Sequence, residues 1–205
     1  MSPQVTIPIA ANADDLYLDA ASATYPVAGP ATVVGGTQEC QPGRSLEGGT
    51  SYKVRNALVR FDSSAIPDNA TIDSANLLLQ IINYASTNAL NLIAESYAWT
   101  GVAADWTANE FASPCINYAM SNIPGSGLAT VPFSSVSVIN KTGITSLRMS
   151  ISKRASDAAP TDENYFNFAS LENTTLAEAK LEVNYTLDAT PPAAPTGLTA
   201  VKSAA

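Results

Sequence analysis

The segment from Arg55 to Ile81, RNALVRFDSSAIPDNATIDSANLLLQI, limits what this chain can fold into more than any other part of it. Leu58, Val59 and Phe61 are strand-forming residues without helical spacing, and Arg55 and Arg60 flank them as a strand with one solvated face would require. The stretch predicts a strand over Ala57–Phe61. Pro67 presets φ for a turn, Asp68 and Asn69 tolerate left-handed backbone, and Thr71-Ile72 restart an extended chain. A second strand is expected over Ser74–Ile82. A helix across SANLLLQIINYA competes with it, but the run is short, apolar on both faces and followed by Asn, Ser and Thr.

Further strands are expected at Val5–Ile9, Asp15–Asp19, Ala31–Val34, Asn91–Tyr97, Ala129–Phe133, Ser146–Ile151, Phe166–Ser170 and Lys180–Leu187, with long loops at Gly35–Lys53 and Val102–Gly127. Many short strands separated by polar turns predict an all-β fold, a jelly-roll-type antiparallel β-sandwich. At 205 residues, 46% of them hydrophobic, one domain can bury a substantial core. From Asp188 the chain reads DATPPAAPTGLTAVKSAA, a stiff Pro- and Ala-rich linker, so the expected organisation is a domain over 1–187 and a linker over 188–205.

Charge narrows the function. Eighteen acidic against ten basic residues give a net charge of −8, and no basic run is present, which argues against a nucleic-acid partner. No stretch approaches the roughly 18 consecutive apolar residues of a membrane helix, so membrane insertion is not expected. The start, MSPQVTIPIAANADDLYLD, lacks a positive n-region and an apolar h-region. Met1 is then either an added start on a fragment or the native start of a protein that reaches the outside without a signal, as virion proteins do on lysis.

The chain has no histidine, which removes Ser-His and Cys-His nucleophile systems. Asp105 with Glu110, or Asp157 with Asp162 and Glu163, are read as solvated loop acids, because nothing around them argues for a raised pKa. Catalysis is not expected. Cys40 and Cys115 lie in two separate loops, where a disulfide would form in an oxidising compartment, and two Cys without His make zinc a poor fit.

Binding is the alternative. Sugar recognition needs an aromatic plate against which a C–H face stacks, framed by planar hydrogen-bonding groups. Trp106 and Tyr118 sit on a long polar loop with Asp105, Asn109 and Asn117 nearby, and these five are the candidate ligand-binding residues. A competing reading has Trp106 cap one end of the core, and Trp99, at a strand end, reads as core. No cofactor is required. A structural calcium is the one ion the residues leave open, with Asp14, Asp15, Asp19 and Asp62 as hard oxygen ligands.

The segment VRNALVRFDSSAIPDNATIDSANLLL resembles the signature of DNRLRE-domain proteins. In that signature an Arg, an apolar strand ending Phe-Asp, an Ile-Pro turn, an Ala-Thr-Ile step and a Ser-Ala-x-Leu strand follow in order. ADDLYLD, the Trp99/Trp106 spacing, FNFASLE and AKLEVNY extend the resemblance over roughly residues 4 to 187. The chain departs from the pattern at Gly101, Asp105 and Ala179, where the family favours an acid, a Thr and a Pro. The tail PPAAPTGLTAV resembles the opening of a fibronectin type III domain. The resemblance implies a non-catalytic recognition or attachment module of a multidomain surface or virion (phage tail-like) protein. Its expected partners are polysaccharide or cell-surface glycan and neighbouring domains or subunits of one assembly. The alternative is a purely structural spacer or decoration.

Overall fold

In a computed structural model of the protein, residues 2–86, 89–153 and 158–188 are described. The linker expected over 188–205 therefore lies almost wholly outside the described residues. Among them the chain is all-β: thirteen strands join in one continuous antiparallel network. No helix there is long and apolar enough to cross a membrane.

The network folds over into two layers. One layer runs from β1 (Gln4–Pro8) through β13 (Lys180–Leu187) to β7 (Ala70–Ala85) and β10 (Gly127–Pro132). The other runs from β3 (Thr32–Val34) through β2 (Asp15–Ser22), β6 (Ser51–Asp62), β11 (Ile144–Ile151) and β8 (Asn91–Ser96) to β9 (Ile116–Ala119). Along one flank β12 (Tyr165–Ala169) stitches β7 to β4 (Glu39–Cys40) and β5 (Gly43–Glu47). Inward side chains from both layers form one core: Leu77, Leu79, Leu181 and Val131 pack with Val59, Phe61, Met149, Leu92 and Phe166. Burying such side chains stabilises the fold by about 1.5–3 kcal/mol each.

The opening stretch is an arch between layers. β6 and β7 share no hydrogen-bonded register; each pairs only with strands of its own layer or with the flank. The chain crosses through a single 3-10 turn at Ser63–Ala65, capped by Asp62, whose side chain accepts the Ser64 N–H at 3.2 Å. Ile66 then drops into the core, and the buried Ser63 hydroxyl bonds to the carbonyls of Asn140 and Gly143. The competing helix over SANLLLQIINYA is excluded, because those residues are the middle of β7.

Two corrections concern segments that read as loop. Gly35–Lys53 contains β4, β5 and the first residues of β6, and Val102–Gly127 contains β9. β5 escaped notice because its sequence, GRSLE, is polar, yet Gly43, Arg44 and Ser45 are all buried. Gly43 is required there: a Cβ would lie 2.8 Å from Tyr165 Cβ, inside contact distance for any side chain. β6 is also drier than expected. Val54 through Val59 are all buried, so neither face of its middle is solvated.

The expected disulfide is absent. Cys40 and Cys115 are free thiols in the main core. Cys40 is fixed opposite Phe168 on β12, while Cys115 bonds through its own backbone and sulfur to the Ala94 carbonyl beside β8. Burial raises both thiols, Cys115 to about 11 and Cys40 well above its ordinary value, which makes them inert apolar side chains.

Candidate functional site

A second, smaller core explains the dry outer face of β6. Leu16, Leu18 and Ala20 of β2 and Val54 and Leu58 of β6 point away from the main core, and Trp99, Val27 and Ala31 cover them. Val27 and Ala31 come from the segment between β2 and β3, and the rest of the cover is the loop from Tyr97 to Phe111. Its docking is specific: Trp106 Nε1 donates to the Val54 carbonyl at 2.9 Å, and the Thr107 N–H donates to the buried Asn56 Oδ1 at 2.7 Å. Trp99 Nε1 reaches the Val59 carbonyl at 3.4 Å.

Three arginines brace this loop from beneath. The buried Arg44 donates to the carbonyls of Ile151, Ala108 and Asn109 at 2.6, 2.8 and 3.2 Å. Arg60 lies over the Trp99 ring, 3.5 Å from its centroid, and donates to the Trp99 carbonyl at 2.7 Å. Arg148 lies 3.8 Å from the Tyr97 ring centroid and 5.4 Å from that of Phe111; it pairs with Glu95 and donates to the Asp105 carbonyl at 2.6 Å. Planar guanidinium groups suit the role, since one side chain stacks on a ring and forks to several carbonyls at once.

Asp105 is the loop's internal knot. Its Oδ2 accepts the N–H groups of Thr100, Gly101 and Val102 at 2.8–3.0 Å. Burial works to raise its pKa, and the N–H donors of Val102, Thr100 and Gly101 outweigh it, so the carboxyl stays below the ordinary value. A carboxylate spent this way has little left for a ligand. Gly101 in the same knot has φ +80°, a left-handed conformation that favours glycine.

The other four candidates do not converge on one plate. Trp106 is half-buried in the small core, its ring edge against Gly29, where a Cβ would approach within 3.2 Å. Tyr118, on β9, packs half-buried against the main core, on the opposite face of its layer. Asn117 alternates outward and is exposed, accepting from Asn91 Nδ2 at 2.6 Å. Asn109 is exposed, with its N–H on Thr107 Oγ1 at 3.0 Å. What the outer face offers solvent is thus an Asn91–Asn117 amide pair, Asn109 and the open part of Trp106. Beside the Arg60–Trp99 stack lies a shallow groove lined also by Ala98, Thr100, Ile144 and Ser146.

Of the acid pairs read as loop acids, Glu110 accepts the Lys153 N–H at 2.8 Å, and Asp157 lies outside the described residues. The four aspartates weighed as calcium ligands have separate partners. Asp14 lies 3.9 Å from Arg60, Asp19 lies 3.3 Å from Arg55, Asp62 caps the Ser63–Ala65 turn, and Asp15 accepts the Leu171 N–H at 2.7 Å. Among the described residues no three His, Cys, Asp or Glu side chains form a metal-sized group.

Sequence reasoning missed a charged network at one end of the sandwich. Arg55 Nη2 meets Glu47 at 2.8 Å, Lys53 meets the other Glu47 oxygen at 2.8 Å, and Asp19 lies against both cations. Its signal was the alternation of Lys53 and Arg55 with the apolar Val54. The geometry defines an all-β antiparallel module with an arginine-braced surface loop. No model of a known protein family matches the chain, and no curated protein matches it.

Proposed function

We propose that the protein is a non-catalytic recognition or attachment module of a larger surface or virion assembly, and that its partner is a glycan. The observation that carries this reading is the bracing of the Tyr97–Phe111 loop by Arg44, Arg60 and Arg148. Covering a few leucines needs no such rigidity. A preorganised loop that offers amides and a partly open indole suits sugar binding, where little affinity is available to offset ordering. The contacts are Asn109, Asn117 and Trp106, with Asp105 and Tyr118 holding the surface in shape. The DNRLRE resemblance supports the same class, and with it an extracellular or virion-surface location.

A second reading has its own observation. Both indole N–H groups are used internally, as expected of a spacer or decoration whose contacts are with neighbouring subunits. A glycan array probed with the full chain and with an Asn109→Ala/Asn117→Ala variant separates the two. Saturable binding lost in the folded variant is the expected result. Silence of the folded wild type across the array overturns the glycan reading and leaves the structural one.

A further inference from the structure

Asp15 and Glu172 are an uncompensated pair of carboxylates. Asp15 lies on the core-facing side of β2, opposite Val59, and is 1% exposed. The Leu171 N–H fixes its Oδ2 at 2.7 Å, which places the carboxylate beside residue 172. Its Oδ1 is buried without a hydrogen-bond partner, and so are both carboxylate oxygens of Glu172. Neither side chain takes part in an ion pair among the described residues. The charges that act on Asp15 are those of Glu172 and Asp14, all of one sign.

Buried acceptors left unpaired each cost on the order of 1–3 kcal/mol, and two like charges add repulsion. Something of positive charge belongs between them. We infer that Asp15 and Glu172 bind one hard divalent cation, Asp15 through its free Oδ1 and Glu172 through both oxygens, with water and main-chain carbonyls completing the shell. Calcium fits best, since three carboxylate oxygens on β2 and on the turn after β12 make an irregular set that calcium tolerates and the strict octahedron of magnesium does not. The pair differs from the four-aspartate set, since Asp14 and Asp19 are held by arginines and Asp62 caps a turn.

The test uses the full chain after chelator treatment, titrated with calcium and separately with magnesium, read by thermal melting and calorimetry. Calcium is expected to bind one to one and to raise the melting temperature by about 5–10 °C at a hundredfold excess over Kd. Asp15→Asn and Glu172→Gln, both isosteric, are expected to melt normally and to lose the calcium shift, while Asp19→Asn keeps it. A wild type whose melting and heat signal are unmoved by millimolar calcium or magnesium overturns the inference. So does a calcium shift that survives in both isosteric variants.

Discussion

Asp15 and Asp19 lie four residues apart on the same face of β2, and the fold treats them in opposite ways. Asp19 sits opposite Arg55, with Lys53 and Glu47 completing a network of alternating sign. Asp15 sits opposite Val59, accepts the Leu171 N–H, and the charges that act on it are those of Glu172 and Asp14. Burial comes first among the causes that raise the Asp15 pKa, to about 6, with those two carboxylates adding to it. Burial acts on Glu47 in the same sense, yet Lys53 and Arg55 outweigh it and the pKa falls. For Asp15 and Glu47 the sign of the neighbouring charges thus decides the direction of the shift.

The largest way to break that comparison is Arg55→Met, which leaves Asp19 and Glu47 with Lys53 as the one cation of the network. It is expected to cost about 3 kcal/mol, measured by urea unfolding. Asp105→Ala comes next: it frees three loop N–H groups and is expected to cost about 2 kcal/mol, with proteolysis of the Tyr97–Phe111 loop appearing before global unfolding.

Titration sharpens the comparison. Asp15 is raised in the folded state above its ordinary 3.8, so the folded protein holds a proton that the unfolded chain has lost. Its contribution to stability is therefore greatest below pH about 4, declines as pH rises through about 6 and is level above. Glu47 and Asp105 run the other way: their depressed values stabilise the fold at neutral pH, and that stability is lost as the medium becomes more acid than their folded pKa values. Unfolding midpoints between pH 4 and 8 in chelator should show the falling Asp15 contribution, and Asp15→Asn should remove it. A wild type and an Asp15→Asn variant with parallel pH curves would show that Asp15 titrates normally.

The smallest effects belong to the outer face. Trp106→Phe removes the bond to Val54 and the ring edge that packs against Gly29, so it should cost about 1.5 kcal/mol. Asn117→Ala, at an exposed position, should leave unfolding within about 0.5 kcal/mol of wild type while weakening any glycan contact.

Much of the fold was legible. The run from Arg55 to Ile81 signalled two strands because Leu58, Val59 and Phe61 are strand formers without helical spacing, and the turn residues Pro67, Asp68 and Asn69 separate them from a second short apolar run. Trp99 read as core and is core. β5 was not legible, since Arg44 and Ser45 are polar in the chain and dry in the fold, their donors satisfied by distant carbonyls and by Glu47. The site was half legible. The candidates Asp105 to Tyr118 were singled out, but nothing in the chain told that Trp106 and Tyr118 face opposite sides of one layer.

By itself the sequence determined that this is an all-β chain, where most strands lie and where the chain turns, because alternation and turn chemistry are local. It did not determine that the Ile-Pro turn crosses between layers, that two cysteines stay reduced in one core, or that one aspartate of β2 gains cations and another gains only acids. Those outcomes depend on which side chain stands across the strand pair or across the sandwich. Only the tertiary fold brings Asp19 to Arg55 and Asp15 to Glu172, and the sign of that neighbour decides what each carboxylate does.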